Sequence, residues 1–356
     1  MTESRNLAAL ASAYEDSLLG KTLGEAGVGI EVDGNRIKIT LGFPAAGYRD
    51  TLQAGLRQHL LAIAPGLQPE IAIDWAIVPQ AVQKGLQPLP GVKNLIAVGS
   101  GKGGVGKSTV AVNLALALAV EGARVGILDA DIYGPSQPIM LGTRERPTSP
   151  DGKRMNPIGA LGLQAMSLGF LIDVDSQPAI WRGPMATQAL WQLLTETLWQ
   201  DLDYLVVDLP PGTGDIQLSL SQKIPVAGSV VVTTPQDIAL LDARKGLEMF
   251  RKVGIPILGI VENMSTHICS NCGHEEAIFG HGGGDRLARE GGAELLGSLP
   301  LDIRIREQAD SGRPTVAADP ESALAQRYRE IARRSAARLA HGENGAAFPI
   351  ISVADD

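Results

Sequence analysis

At 356 residues, with 44% hydrophobic, 20% charged and 4% aromatic, the chain carries enough apolar material for one large domain and a small one. A net charge of −8 excludes a general nucleic-acid or anionic-membrane surface, and two cysteines, at 269 and 272, exclude a disulfide framework. The opening MTESRNLAALASAYEDS has acidic residues and no long apolar run, unlike a signal peptide, and no stretch reaches the length of a spanning helix. The expectation is a soluble cytoplasmic protein with no membrane or nucleic-acid partner.

The first 88 residues read as a small α+β domain. Leu7, Leu10, Tyr14 and Leu18 predict a helix over Asn6–Leu19. Val28–Val32 and Arg36–Leu41 predict two strands around a turn at Asp33-Gly34-Asn35. An amphipathic helix over Arg49–Ile63 and a third strand over Glu70–Val78 follow. Pro88, Pro90 and Gly91 break the pattern, which places the linker at 89–93 within the irregular stretch Gln80–Lys93. From Asn94 strand and helix patterns alternate, predicting a mostly parallel sheet with helices on both faces over 94–342. A tail, 343–356, with an apolar run Pro349–Val353 that could pair with an edge strand or stay disordered, follows.

The second domain opens on its most informative stretch. Leu95–Gly99 is a buried strand, Val110–Val120 an apolar helix, and between them Gly101–Thr109 reads GKGGVGKST. This fits G-x-x-x-x-G-K-[ST] in its required strand–loop–helix context. Gly101, Gly103, Gly104 and Gly106 allow the backbone of Gly101–Thr109, Lys102 and Val105 included, to bring N–H groups close to phosphate oxygens. The helix start adds its own unpaired N–H groups. Lys107 is expected on the β- and γ-phosphates, and Ser108 on Mg²⁺.

Arg124–Leu128 predicts the next strand, which ends in Asp129-Ala130-Asp131, and carboxylates at strand ends point into the ligand crevice of such a sheet. Arg144–Leu171 is rich in Pro and Gly, and a helix then runs through Trp199. Tyr204–Asp208, YLVVD, is an apolar strand ending in an acid, so Asp208 is expected to hold Mg²⁺ through a water. Strands at Ser229–Thr234, Ile257–Val261 and Ala293–Leu299 and a helix over 238–253 complete the alternation. The last helix, near 321–339, has a narrow apolar stripe of Leu324, Tyr328, Ile331, Ser335 and Leu339. Arg327, Arg329, Arg333, Arg334 and Arg338 decorate the rest, so it reads as a helix packed on the sheet with a solvated basic face.

The extra Lys102 makes the loop K-G-G-V-G-K. This resembles the deviant P-loop of the ATPases that include nitrogenase iron protein, the Min and Par partitioning ATPases and the Mrp/ApbC iron–sulfur carriers. The resemblance implies ATP as nucleotide and a homodimer in which Lys102 reaches the partner's nucleotide. Asp129 to Ser136 resembles the first switch, implying that Asp131 orients the attacking water and Asp129 orders the Mg²⁺ site. Lys102, Lys107 and Asp131 are thus the implied catalytic residues. Leu209 to Asp215 resembles the second switch, with Gly212 offering its N–H to the γ-phosphate. Asn263, after the Ile257–Val261 strand, inherits an adenine-reading role. The run Ile180–Met185 also resembles Mrp-type sequences, placing Trp181 and Arg182 at a dimer or client surface or in core packing. The first domain weakly resembles the cluster-assembly module often found ahead of Mrp-type ATPases, but has no cysteine. Docking, regulation and a purely structural role all remain open for it.

Cys269-Ser270-Asn271-Cys272 is the second informative stretch, since C-x-x-C lets two thiolates converge on one metal or cluster. Gly273 replaces the histidine of a haem motif, and the short βαβ context of thioredoxin is missing. A [4Fe–4S] cluster takes four thiolates and this chain has two, which points to a cluster bridging two subunits. A Mrp/ApbC carrier, which the chain resembles from Asn94 to about Arg338, holds such a cluster on a C-x-x-C at this place. The implied function is ATP-dependent delivery of that cluster from a donor to apo iron–sulfur proteins. Zinc is the rival ligand, shared between two chains or completed by His267 or His274. It would fit a Min/Par-type ATP-dependent dimerisation switch.

Overall fold

The computed structural model describes residues 2–172 and 183–342. Trp181, Arg182 and the tail 343–356 lie outside the described residues. The described chain forms two compact units, one of the residues up to Ala81 with those from Ala336 onward, the other Val82–Ser335.

The first unit is built on a three-stranded sheet. Gly29–Asp33 and Arg36–Leu41 pair antiparallel, with Asp33 opposite Arg36, so Gly34-Asn35 is the turn. Gly34 takes φ +58°, a conformation that costs glycine little. Glu70–Trp75 adds in parallel to Arg36–Leu41. Ile37, Ile39 and Leu41 alternate inward against Leu52, Leu56 and Leu60 of the helix Arg49–Ile63, and all six are fully buried.

The first helix is shorter than its spacing predicts, Thr2–Ser12, and a small ribbon of Glu15–Asp16 against Lys21–Thr22 follows. Asp16 explains the break. Its buried carboxylate accepts the N–H groups of Leu18 and Leu19 at 3.0 and 2.9 Å and the Tyr48 hydroxyl at 2.8 Å. An Asp that satisfies its neighbours' N–H groups competes with helix continuation.

The second unit contains an eight-stranded sheet. Its strands are β1 (Val92–Ser100), β2 (Val125–Asp129), β3 (Ile158–Ala160), β4 (Leu163–Ser167), β5 (Leu202–Asp208), β6 (Gly228–Thr233), β7 (Ile257–Glu262) and β8 (Leu295–Ser298). Their spatial order is β8-β7-β6-β1-β5-β2-β4-β3, and every pair is parallel except the hairpin β3–β4. That hairpin lies in the Pro/Gly-rich stretch 144–171. The chain winds outward from β1 in both directions. Right-handed crossovers therefore distribute helices to both faces and leave a crevice at the carboxyl end of β1. Continuous apolar runs in β1, β5 and β6 are buried, Lys93 of β1 excepted, as two-sided coverage requires.

The terminal helix, Ala323–His341, departs from expectation in its arginines. Leu324, Tyr328, Ile331, Ser335 and Leu339 are buried as the stripe predicts, but so is Arg329. Arg329 Nε and Arg333 Nη1 donate to Glu121 Oε1 at 2.8 and 2.9 Å, at the end of the helix Lys107–Val120. Two of the five arginines are thus internal partners of a buried carboxylate, not a solvated face.

Candidate nucleotide and cluster site

Three strand ends build the candidate nucleotide site. β1 leads into Gly101–Gly106 and the helix Lys107–Val120, whose first turn no side chain caps. The N–H groups of that first turn and the helix dipole favour an anion there. The glycines have separate reasons. A Cβ at Gly101 would overlap the backbone of Asp242 and Ala243, in the helix Asp237–Lys252. Gly104 and Gly106 take φ +79° and +78°, which turn the loop. Gly103 is exposed, Val105 is buried and anchors the loop, and Ser108 and Thr109 are half-buried at the helix start.

Lys107 is buried and pairs with the fully buried Asp208 at the end of β5, and its ammonium lies 3.3 Å from Ser108 Oγ. Asp208 and Asp129, the ends of adjacent strands β5 and β2, lie side by side in register. Asp129 Oδ2 accepts from the Gln137 N–H and from Ser167 Oγ, both at 3.1 Å, and Oδ1 from the Asp131 N–H at 3.1 Å. Burial first, and then the Asp208 charge, push the Asp129 carboxyl up to about 7. Asp131 is also raised, again by burial first, with Lys107 opposing. Loss of solvation raises the acidic groups and a nearby cation offsets it, the condition in which a divalent cation binds well.

The donor set fits Mg²⁺. Ser108 Oγ, Asp129 and Asp208 offer hard oxygen donors, and Gln137 Oε1 and Ser136 Oγ are buried without partners among the described residues. Among the described residues no three His, Cys, Asp or Glu gather into a metal cage. That suits an ion held by one or two carboxylates, waters and substrate phosphate.

Two implied roles meet other partners. The Gly212 N–H donates to the Ser100 carbonyl at 3.0 Å, and Gly212 has φ +100°. The Asn263 amide Nδ2 donates to the Val105 carbonyl at 2.8 Å, and a Cβ at Gly106 would overlap it. Asn263 therefore braces the phosphate loop. Lys102 is half-buried, and among the described residues its ammonium makes no ion pair, while its carbonyl accepts Ser100 Oγ at 2.9 Å. Sequence reasoning missed Gln137 and Ser167. The position of Gln137 directly after the acidic run was its only signal.

The thiols lie elsewhere in the same unit. His267–Ile268 and Glu275–Glu276 form a two-residue antiparallel ribbon, and Cys269–His274 is its tip. Cys269 N–H donates to the His274 carbonyl at 2.9 Å and Gly273 N–H to the Cys269 carbonyl at 2.8 Å, with Gly273 at φ +72°. Cys269 is half-buried, Cys272 exposed, and both are free. The N–H groups of Cys272 and Asn271 and the Cys272 thiol hold the Cys269 thiol below its ordinary value. That makes it a readier thiolate and soft-metal ligand. The ribbon is anchored through Leu301, whose N–H donates to Thr266 and whose carbonyl accepts from Ile268, at 2.6 and 3.3 Å. Neither His267 nor His274 joins the two cysteines in a three-ligand group among the described residues.

Known proteins are similar to this chain. A family model described as "ParA: NUBPL iron-transfer P-loop NTPase" matches residues 91–336. An iron–sulfur cluster carrier protein of Pseudomonas fragi is 63% identical over 265 residues, which cover 74% of this chain and 92% of that one. The mouse iron–sulfur cluster transfer protein NUBPL is 50% identical over 265 residues, covering 73% and 83%. Among solved structures, a nucleotide-binding protein from Archaeoglobus fulgidus in complex with ADP is 36% identical. It superposes with a TM-score of 0.57 over 65% of this chain and 90% of that one. On the extent of the family match and the identity to these relatives, the chain belongs to the NUBPL-type iron-transfer P-loop NTPases.

Proposed function

We propose that this protein carries a [4Fe–4S] cluster between two copies of itself, and that ATP binding and hydrolysis control its delivery to apo iron–sulfur proteins. The observation that carries the reading is the pair of free thiols, half-buried Cys269 and exposed Cys272, at the tip of a short ribbon of the unit that holds the phosphate loop. Two thiolates per chain supply half of a four-thiolate set, so the partner subunit supplies the rest. Ligation by two residues per subunit, Cys272 exposed and Cys269 half-buried, leaves the cargo accessible to an acceptor. Free thiols suit a reducing compartment, hence a cytoplasmic site of action.

In this reading the backbone of Gly101–Thr109 cradles the phosphates of ATP. Lys107 exchanges the Asp208 carboxylate for the β- and γ-phosphates, which frees Asp208 to face the Mg²⁺ site with Asp129 and Ser108. Mg²⁺ supplies charge neutralisation of the phosphates. Asp131 orients the attacking water, and Lys102 crosses to the partner's nucleotide. Gly212 must leave the Ser100 carbonyl to reach the γ-phosphate, so nucleotide state becomes loop position. Asn263 faces the adenine side while it braces Val105. The catalytic work is positioning and charge stabilisation.

Anaerobic reconstitution with iron and sulfide tests the reading, on wild type and on Cys269→Ala/Cys272→Ala. About four irons and four sulfides per dimer are expected, with a broad visible absorption band, lost in the double variant. Tightly bound zinc that resists replacement, with ATP-dependent dimerisation intact, would replace the carrier by a zinc-stapled nucleotide switch.

A further inference from the structure

Gln137 opens the short helix Gln137–Met140 directly after the first acidic loop. Its backbone N–H donates to Asp129 Oδ2 at 3.1 Å. Its side-chain Nε2 donates to Asp208 Oδ2 at 2.9 Å and to the Ser108 carbonyl at 3.2 Å. One residue thus ties together the acidic loop, the end of β5 and the start of the phosphate-loop helix. The side chain is 1% exposed, and its Oε1 has no partner among the described residues. A buried amide oxygen without a partner is costly, and leucine would fill similar volume without that cost. The arrangement makes sense when a ligand supplies the missing donor.

We infer that Gln137 is a positioning residue for Mg²⁺-dependent nucleotide binding, its amide N–H steadying Asp208 and its Oε1 accepting a hydrogen bond from the ion's water shell. This rests on the nucleotide reading above. Asp208 divides its two oxygens between Lys107 and Gln137. When Lys107 turns to phosphate, Gln137 is the donor that still fixes the carboxylate. Mg²⁺ gives up its waters reluctantly, so its site needs acceptors for water hydrogens as well as direct ligands. Gln137 Oε1 is such an acceptor, oriented by what its own Nε2 holds.

The test titrates a fluorescent ATP analogue in EDTA and across Mg²⁺ concentrations, on wild type, Gln137→Leu, Gln137→Glu and Lys107→Ala. Thermal unfolding of each without nucleotide accompanies it. Gln137→Leu is expected to bind within about twofold of wild type in EDTA and to need about tenfold more Mg²⁺ for half-maximal tightening, the size of one charge-assisted hydrogen bond. Gln137→Glu sets a third carboxylate beside Asp129 and Asp208, so it unfolds at a lower temperature than wild type and recovers with Mg²⁺ alone. An unchanged Mg²⁺ midpoint in Gln137→Leu, with only its melting temperature altered, makes Gln137 a structural strap and overturns the proposal. Should Gln137→Leu fail to fold, the absence of a Mg²⁺ response in Gln137→Glu overturns it equally. Failure of the nucleotide reading looks different, because wild type itself would then bind no more analogue than Lys107→Ala.

Discussion

Lys107 and Asp208 form a buried pair, which in the proposed reading Lys107 leaves when phosphate arrives. Removing one partner strands the other charge, at a cost of about 3–5 kcal/mol. Lys107→Met is therefore expected to lose ATP binding and to unfold at lower urea. Adding Asp208→Asn restores much of the stability and none of the binding. A double-mutant cycle in urea measures the coupling, and additive effects would show that the pair does not interact. His341 is a second residue with one assignable state. Its Nε2 accepts the Gly42 N–H at 3.0 Å, so Nδ1 carries the proton and donates to the Ala26 carbonyl at 2.9 Å. Burial, with Lys21 adding to it, lowers its pKa to about 4. Above pH 6.5 the ring is neutral folded and unfolded. Between about 6.5 and 4 the unfolded chain takes a proton that the folded ring refuses, so stability falls with falling pH, by on the order of 3 kcal/mol at the bottom of the window. An NMR titration of the ring should give a midpoint near 4. An ordinary midpoint near 6.5 would contradict the assignment.

At the scale of elements, Gln83 joins the stretch that leaves the first unit to the helix Asp215–Lys223, which follows the second switch-like loop. Its Nε2 donates to the Ser221 and Ile224 carbonyls at 3.0 and 3.1 Å, and its Oε1 accepts the Val226 N–H at 2.9 Å. Gln83→Ala should cost about 1–3 kcal/mol and speed amide exchange at Val226 and the end of that helix. Exchange that is unchanged there would show the clamp to be idle. The same elements show what a sequence discloses. Strands β1, β5 and β6 were legible because both of their faces are covered, which writes a continuous apolar run. The phosphate loop was legible because its glycines, Lys107 and Ser108 sit side by side in the chain. Gln83, Gln137 and the Arg329–Glu121 pair were not, because each side chain has a partner distant in the chain, 71, 143 and 208 residues away for Gln137–Asp208, Gln83–Val226 and Arg329–Glu121. Periodicity marks which face of an element is apolar, and says nothing of which distant carboxylate a buried arginine meets. The first helix was overrun because Asp16 finds its tertiary partner in Tyr48.

On the scale of the whole molecule, one unit carries both the phosphate loop and the thiol pair. The phosphate loop follows β1 at the centre of the sheet, and the thiol ribbon follows β7, two strands away. Leu301, in the turn after β8, holds the ribbon by backbone hydrogen bonds, while the helix Ile303–Asp310 leaves that turn and is followed by Gly312, packed on the backbone of Gly142 beyond the first acidic loop. Both glycines take positive φ, and a Cβ on Gly312 would overlap the Gly142 backbone. Gly312→Ala should therefore lower the melting temperature and weaken any effect of ATP on cluster release, read by the decay of visible absorption. Release that still responds fully to ATP in a folded variant would exclude this contact from the coupling.

The central claim is that the cargo is shared between two chains. Native mass spectrometry of the anaerobically reconstituted protein tests it most directly. The account predicts a dimer carrying one four-iron, four-sulfide cluster, with Cys269→Ala/Cys272→Ala remaining free of it. A cluster or a zinc ion held by a single chain would contradict it.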